Sequence, residues 1–486
     1  MLSVFLPICF VLGKISCEEF NLFGESGQAY ALEAFLGHPH QKIHLIVDTG
    51  STTLAVAAYP REDNDVYFHA NESTSIFNSG KDVQARYSQG KWWGKLASDF
   101  VQFPSLPSVP EVRSDIALIT KSDNFFMNGS GWQGLLGLAF LPVGAWGENV
   151  IVESWLDALD RTTNKQTSFL MKLCGPIGVN NATHYGNFQM IANVDFNAKN
   201  ESQVHSKTFR TPILRKRWYE IGVISIRVVT NTNTTDNTVI DAVENIDSEV
   251  CKKMNAAKSI LDSGTTNLRM PETVFRQVVD QLRSAAQSSN VLILDNFWYH
   301  GEAACWNEPQ DWLLPSIAID LLNDDQDNQY FTLEIPSQNY MRVVKAHNNT
   351  GEDGIVSEYC YKLGLEGSSK ETVLGYTAME GFEVLFNSSA NWISFKTSNC
   401  GSQTRITGPF NTTTSLKLLC DLIRPIHQVD TSIKAAQWTL CAISIVASTV
   451  LIYLLAPCVK SIIFKRRMQS LQISLSQAAL VEQENS

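Results

Sequence analysis

The sequence predicts a mainly β protein with two similar lobes, followed by one transmembrane helix. A four-residue motif occurs twice, each time after a short apolar run, and β patterns bounded by turn residues dominate the chain. One long uncharged segment lies near the C-terminus. With 486 residues, the chain is too long for a single small core and suits two lobes with additional segments.

The repeated motif places an aspartate on a glycine-containing turn. Asp48 begins Asp-Thr-Gly-Ser after the apolar run 43–47, and Asp262 begins Asp-Ser-Gly-Thr after the run 259–261. Each run predicts a buried strand that delivers a carboxylate onto a tight turn. A single copy would be more typical of an exposed Asx turn. Two copies, one lobe apart, predict that each lobe brings one aspartate to a shared site.

Two such carboxylates have a definite chemistry. At close range they cannot both ionise easily, so they hold one proton between them near mildly acidic pH. The ionised member can take a proton from water while the protonated member polarises a carbonyl group. The pattern therefore predicts peptide hydrolysis by Asp48 and Asp262, and no cofactor is expected.

The two halves repeat beyond these motifs. Gly-Leu-Leu-Gly-Leu at 134–138 resembles Val-Leu-Gly-Tyr at 373–376. An apolar-apolar-Gly strand end beside each aspartate turn would let backbone pack closely against it. Helices are predicted at 153–159 and at 271–282, the second with Pro at its first position. Polar loops are predicted at 231–237 and 323–328.

The predicted order of segments is that of an anchored, secreted protein. It comprises a signal peptide at 1–17, an N-terminal lobe at 18–185, a C-terminal lobe at 186–420, a stem at 421–437, a transmembrane helix at 438–459 and a cytoplasmic tail at 460–486. The span carries no charge and is long enough to cross a bilayer. Lys460 and the basic run 465–467 follow it, which favours a cytosolic C-terminus.

Eight Asn-X-Ser/Thr triplets support this topology, because all of them lie between the signal peptide and the span. They begin at Asn71, Asn128, Asn181, Asn200, Asn233, Asn348, Asn387 and Asn411. The net charge of −11 argues against nucleic-acid partners.

Six cysteines lie between the signal peptide and the span: Cys174, Cys251, Cys305, Cys360, Cys400 and Cys420. An even count in an oxidising compartment predicts three disulfides, for which sequence alone allows 15 connectivities. No metal site is expected, because neither a Cys-X-X-Cys pair nor a histidine cluster accompanies these cysteines.

At these motifs the chain resembles the pepsin-like aspartic proteases, and among them the membrane-anchored beta-secretases (memapsins). The resemblance covers nearly the whole segment between signal and span. Its most specific stretches are 258–271 and 89–94, with further matches at 26–30, 297–298 and 305–306. It implies a bilobal pepsin-like fold.

The resemblance also implies roles for the motif residues. Asp48 and Asp262 would be the catalytic pair that activates one shared water. Thr49 and Ser263 would hydrogen-bond across the lobes and hold the two loops level. Ser51 and Thr265, the last residues of the two motifs, would bond the outer carboxylate oxygens, since small hydroxyl groups donate without filling the cleft.

Two further residues gain roles in substrate binding from the resemblance. Tyr87 aligns with the flap tyrosine of the family, on a hairpin that would close over substrate and exclude water. Arg269 matches an arginine that lines the substrate cleft and favours polar or acidic side chains. The alternatives are core packing for Tyr87 and a structural salt bridge for Arg269. The family's disulfide pairing gives Cys174–Cys400, Cys251–Cys420 and Cys305–Cys360.

The predicted protein is a single-pass type I glycoprotein of the secretory or endosomal pathway. Its ectodomain would cleave peptide bonds, with membrane-tethered proteins as the favoured substrates because tethering raises their concentration at the cleft. Two alternatives are a broad-specificity anchored acid protease and a non-catalytic binding glycoprotein of the same fold. The intact motifs at Asp48 and Asp262 argue against the non-catalytic alternative.

Overall fold

The computed structural model describes residues 20–25, 29–61, 64–88, 90–127, 129–140, 152–176, 183–192, 207–229, 246–288, 294–306, 314–351, 354–423 and 427–484. The predicted signal peptide and the predicted loop 231–237 lie outside these residues. The chain divides into a first compact unit that ends at Leu422 and a second that begins at Ile423.

The first unit is built mainly of strands, as the sequence predicts. The strands are β1 (Leu22–Glu25), β2 (Ala31–Leu36), β3 (Gln41–Asp48), β4 (Leu54–Ala57), β5 (Phe77–Arg86), β6 (Lys91–Gln102), β7 (Val112–Asp123), β8 (Gly134–Gly137), β9 (Thr167–Pro176), β10 (Thr183–Ala192), β11 (Phe209–Pro212), β12 (Val223–Val228), β13 (Ser259–Leu261), β14 (Leu268–Pro271), β15 (Ala304–Trp306), β16 (Ile317–Leu322), β17 (Gln329–Ile335), β18 (Met341–Gly351), β19 (Gly354–Leu363), β20 (Leu365–Ser368), β21 (Thr372–Leu374), β22 (Phe382–Asn387), β23 (Trp392–Thr397) and β24 (Arg405–Asn411). The helices are α1 (Trp155–Thr163), α2 (Ser248–Met254), α3 (Glu272–Ser288), α4 (Asp295–His300), α5 (Ser337–Tyr340), α6 (Leu416–Leu419) and, in the second unit, α7 (His427–Glu484).

Strands from both halves of the chain share one large sheet. Its thirteen strands follow the order β11-β23-β22-β9-β10-β1-β2-β3-β8-β4-β7-β6-β5. The join between the halves is the antiparallel pair β9–β22, where Phe169 stacks on Phe386 with ring centroids 4.7 Å apart. The predicted lobe boundary at 185/186 falls inside β10. The division into two lobes at that point stays a prediction.

Each aspartate motif follows a buried strand that pairs in parallel with the apolar-apolar-Gly repeat of its own half. In the first half β3 pairs with β8, and Asp48 lies opposite Gly137. In the second half β13 pairs with β21, and Leu261 lies opposite Leu374. A Cβ on Gly137 would lie 2.4 Å from the amide nitrogen of Thr53. Only glycine therefore allows backbone to pack this closely behind the motif.

The helices begin close to their predicted positions. Ser154 caps α1 by accepting a hydrogen bond from the amide of Asp157 at 3.1 Å. The predicted helix at 271–282 is α3, which runs six residues further, to Ser288. Pro271 ends β14 instead of opening the helix. The loop predicted at 323–328 connects β16 to β17.

Three disulfides link distant parts of the first unit: Cys174–Cys400, Cys251–Cys420 and Cys305–Cys360. These are the pairs that the resemblance implies. Two of them close long loops, with separations of 226 and 169 residues, and so restrict the unfolded chain most.

A buried ion cluster also joins the halves. Glu380 accepts hydrogen bonds from Tyr30 at 2.8 Å and from His184 at 3.1 Å, and its carboxylate lies 3.6 Å from the Arg342 guanidinium. Burial acts to raise the pKa of Glu380, but Arg342 and the hydrogen bonds outweigh it and the pKa is lowered. The Arg342 guanidinium covers the ring of Tyr376 at 4.3 Å. Tyr376 directly follows Gly375 of the second repeat, and its amide donates to the Thr265 carbonyl at 2.9 Å, so this cluster supports the backbone behind Asp262.

The second unit contains α7, whose residues 436–471 include a segment long and apolar enough to cross a membrane. The predicted span at 438–459 lies within this stretch, and the side chains there are exposed. Residues 427–437, predicted as a stem, are also helical.

Candidate active site

The first motif forms a turn whose own groups donate hydrogen bonds to the Asp48 carboxylate. The backbone amide of Gly50 donates to Oδ1 of Asp48 at 2.8 Å. The Ser51 hydroxyl donates to the other oxygen, Oδ2, at 2.5 Å. Both carboxylate oxygens of Asp48 are thus fixed from within the motif, which sets the orientation of the side chain.

The second motif repeats this arrangement atom for atom. The backbone amide of Gly264 donates to Oδ1 of Asp262 at 2.9 Å, and the Thr265 hydroxyl donates to Oδ2 at 2.8 Å. The contacts that the resemblance implies for Ser51 and Thr265 are therefore present in the structure.

Thr49 and Ser263 connect the two motifs by a reciprocal set of four hydrogen bonds. The Thr49 hydroxyl accepts from the Ser263 amide at 2.9 Å and donates to the Leu261 carbonyl at 2.9 Å. The Ser263 hydroxyl accepts from the Thr49 amide at 3.1 Å and donates to the Val47 carbonyl at 2.7 Å. Both side chains are completely buried. Neither loop can shift without breaking bonds to the other.

The two carboxylates face each other across this connection. A Cβ on Gly50 would lie 2.5 Å from the carboxyl atoms of Asp262, and a Cβ on Gly264 would lie 2.3 Å from Oδ1 of Asp48. Each glycine thus leaves the space that the opposite carboxylate occupies. Glycine is required at positions 50 and 264, because a side chain at either position would overlap the opposite carboxylate.

Solvent reaches the two aspartates unequally. Asp48 is 5% exposed, whereas Asp262 is only partly buried. Burial raises the pKa of Asp48 to about 7, and the negative charge of Asp262 acts in the same direction. The hydrogen bonds from Ser51 and Gly50 oppose this rise. The pair therefore holds one proton under mildly acidic conditions.

Tyr87 lies on a hairpin over the first motif. The hairpin joins β5 to β6, and the Tyr87 amide closes its turn by donating to the Gly90 carbonyl at 2.7 Å. The ring of Tyr87 packs against Phe125 with centroids 5.4 Å apart. Burial and the negative charge of Asp48 both raise the pKa of Tyr87, so its hydroxyl lies within the electrostatic reach of the site.

Trp92 is a site residue that the sequence analysis missed. Its stretch was recognised as a match, but no role was given to it. The indole is fully buried on β6, directly after the hairpin, and its side chain lowers the pKa of Tyr87 against the effect of burial. The signal that could have found it was its position five residues after Tyr87, inside the stretch 89–94 that carries the resemblance.

Arg269 makes two ion pairs. Its guanidinium lies 3.1 Å from Glu371 and 3.3 Å from Glu366. Lys258 shares Glu371 at 3.1 Å. These contacts match the salt-bridge alternative for Arg269. Its proposed effect on substrate preference stays a prediction.

Two facing carboxylates, held in place by reciprocal hydrogen bonds, are the arrangement expected of an aspartic peptidase. The chain belongs to the eukaryotic aspartyl protease family, whose model matches residues 29–398. It is an aspartic endopeptidase, and its C-terminal apolar helix suggests anchorage in a membrane.

Three known proteases resemble the chain to different extents. It is 30% identical to a beta-secretase of Strongylocentrotus purpuratus over 402 residues, which is 80% of this chain and 70% of that protein. It is 24% identical to pepsin A-5 of Mus musculus over 53% of this chain and 59% of that protein. Vacuolar protease A of Aspergillus fumigatus is also 24% identical, over 50% of this chain and 54% of that protein.

Proposed function

We propose that Asp48 and Asp262 together activate one water molecule and cleave peptide bonds in membrane-tethered proteins. The observation that carries the proposal is the reciprocal bonding of Thr49 and Ser263, which holds two unequally solvated carboxylates face to face. A turn that merely capped itself would need no partner in the other half of the chain.

The unequal solvation of the two carboxylates supports different roles for them in this mechanism. Asp48, the buried member, keeps the proton and donates a hydrogen bond to the scissile carbonyl oxygen. Asp262 is more exposed to solvent than Asp48 and is the ionised member of the pair. It accepts a proton from the water molecule as the water oxygen attacks the carbonyl carbon. Asp262 then passes this proton to the amide nitrogen, and the C–N bond breaks to give a carboxylic acid and an amine. The pair again holds one proton, on Asp48.

The hairpin that carries Tyr87 serves as a cover in this mechanism. Its phenol ring packs on the side of Asp48, next to the protonated member of the pair. Closing the hairpin over a bound peptide would exclude water and strengthen the electrostatic contacts inside the cleft.

Anchorage of the enzyme in a membrane supports membrane-tethered proteins as its substrates. An enzyme held at a membrane meets a tethered substrate at a raised effective concentration. Lys460 and the basic run that follows favour a cytosolic C-terminus and a lumenal first unit. Asn71 and Asn411 are exposed, as glycosylated residues must be. Asn387 is buried and accepts a hydrogen bond from the Ala390 amide, so this triplet is excluded from the proposed glycosylation sites.

A comparison of tethered and free substrate tests the proposal. The full chain in liposomes should cleave a lipid-anchored peptide about 10²-fold faster than the same peptide in solution. The control is the first unit alone, residues 1–422, which forms its own compact unit and should cleave both forms equally. Equal rates for the full chain would overturn the tethered-substrate proposal while leaving the peptidase activity intact.

A further inference from the structure

A cluster of two histidines and a glutamate lies away from the cleft. His38 and His40 occupy the turn between β2 and β3, and Glu111 directly precedes β7. The sheet brings them together, because Leu36 pairs with Val101 and Val101 pairs with Val112. Among the residues that the structure describes, these three form the one group with metal-ligand spacing.

The distances from Glu111 to the two histidines suit a tetrahedral metal ion. Nε2 of His40 lies 3.0 Å from Oε1 of Glu111, and Nε2 of His38 lies 3.4 Å from the same oxygen. All three ligand atoms lie within 4.8 Å of one another. A tetrahedral zinc ion with bonds of about 2.0–2.1 Å would set its ligand atoms about 3.3 Å apart.

Each imidazole ring packs against an aromatic ring on one side, which restrains its orientation. The His40 ring stacks on Phe35 at 5.4 Å, and the His38 ring contacts Phe100 edge-on at 5.1 Å. The backbone of His38 is held as well, since its carbonyl accepts from the Thr74 amide at 2.7 Å. Ligands that packing already orients lose little freedom on binding a metal.

The guanidinium of Arg113 is engaged away from Glu111. Arg113, two residues along the chain, donates to the carbonyls of Ser75 at 2.7 Å and Ser98 at 3.3 Å. The ion pairs described for Glu111 are those with His38 and His40. Two imidazole nitrogens thus converge on a single carboxylate oxygen. A shared divalent cation satisfies all three groups at once, because neutral imidazole and carboxylate are both good ligands for it.

We propose that His38, His40 and Glu111 bind one zinc ion, with a water molecule as fourth ligand. The site would lie at the opposite end of β3 from Asp48, about 24 Å along the strand. At that distance the ion would take no part in peptide cleavage. It ties the β2–β3 turn to the start of β7 and thereby stabilises the strand that delivers Asp48.

Zinc titration of the full chain in detergent, after treatment with a chelator, tests the site. Calorimetry should detect zinc binding that raises the unfolding temperature. His40→Ala and Glu111→Gln should each weaken that binding by at least about tenfold, since even residues that only support a metal ligand cost that much. Glu111→His should retain binding, because imidazole replaces the carboxylate as a ligand.

The matched control is His44→Ala. His44 lies on β3 of the same sheet and its side chain is 41% exposed, as is that of His38, but it is outside the cluster. This variant should bind zinc as the wild type does. All variants keep Cys441 and Cys458, so zinc held by these thiols is common to them. Unfolding temperatures without zinc should match the wild type and exclude misfolding. Unchanged binding in His40→Ala, or equal loss in Glu111→His and Glu111→Gln, would overturn the proposal.

Discussion

The Asp48 and Asp262 loops have the same hydrogen bonds but different surroundings. Each aspartate accepts from the glycine and hydroxyl residue of its own motif, and each loop bonds the other through Thr49 and Ser263. Yet Asp48 is nearly inaccessible, while Asp262 is partly exposed. The shared geometry aligns two carboxylates, while burial raises the pKa of Asp48. The matching hydrogen bonds thus position the two carboxylates, and their different burial suits them to different acid–base roles in the proposed mechanism.

Removing either carboxylate should have the largest effect. Asp48→Asn and Asp262→Asn should each lower kcat by about 10³-fold or more, because each removes a general acid or base. The two variants should differ in stability. Burial raises the pKa of Asp48 from 3.8 to about 7, so wild-type stability falls as pH rises between these values.

The asparagine at position 48 does not ionise, so Asp48→Asn should unfold at a higher temperature than the wild type above pH 7. Below pH 3.8 this advantage should disappear, because the wild-type carboxyl is then neutral in both folded and unfolded states. Asp262→Asn should raise the unfolding temperature less, since the Asp262 side chain is less buried than that of Asp48. Thermal unfolding between pH 3 and pH 8 measures the difference, and an equal gain in both variants would contradict the asymmetry.

Adding a methyl group between the carboxylates should have the next largest effect. In Gly264→Ala the new Cβ would meet Asp48, which is buried and cannot turn away, so activity should fall by about 10²-fold. In Gly50→Ala it would meet Asp262, which is more exposed and can rotate, so the loss should be smaller. Peptide cleavage rates of the two variants test this order.

Gly131→Ala is the control for these variants. No atom lies within 4 Å of a Cβ at that position, and cleavage should be unchanged. An equal loss in Gly50→Ala and Gly264→Ala would show that both carboxylates are equally confined.

Local sequence was sufficient to predict the two motifs, the strands before them and the glycine repeats behind them. All of these depend on residues adjacent in the chain: an apolar run, a turn and a glycine. The helix predicted at 153–159 corresponds to α1, which begins two residues later, at Trp155, because Ser154 caps it. The disulfide pairs were not predictable from spacing, and only the resemblance selected them from the 15 possibilities.

Local sequence could not predict contacts between residues that are distant in the chain. Nothing beside Arg269 reveals that Glu366 and Glu371 will flank it, since β20 and the turn after it bring them there. Glu111 likewise reaches His40 across 71 residues through two strand pairings. Pro271 favoured a helix start, but its φ also suits the end of β14, and pairing with β20 decided between them.

Breaking the reciprocal bonds should test the shared geometry. Thr49→Val leaves the buried Ser263 amide without its acceptor, and Ser263→Ala does the same to the Thr49 amide. Each should cost about 1–3 kcal/mol of unfolding free energy, the penalty for a buried unpaired polar group. Because the bonds are reciprocal, the two costs should be similar. Thr120→Val, on an exposed part of β7, should cost little. Denaturant unfolding measures all three, and a negligible cost at Thr49 would contradict the mutual support of the loops.

The smallest effect, and the finest test of the asymmetry, is a shift in pH dependence. Cleavage requires protonated Asp48 in the proposed mechanism, so activity should fall as pH rises through about 7. The Ser51 hydroxyl stabilises ionised Asp48 and opposes that pKa rise. Ser51→Ala should therefore move the decline to higher pH by about one unit, since a hydrogen bond to a charged group contributes about 1.5 kcal/mol. Thr265→Val should leave the decline in place, because the Thr265 hydroxyl bonds Asp262. Profiles of kcat against pH distinguish them. If both variants shifted the decline equally, the proton would belong to the pair as a whole and the two carboxylates would have no separate roles.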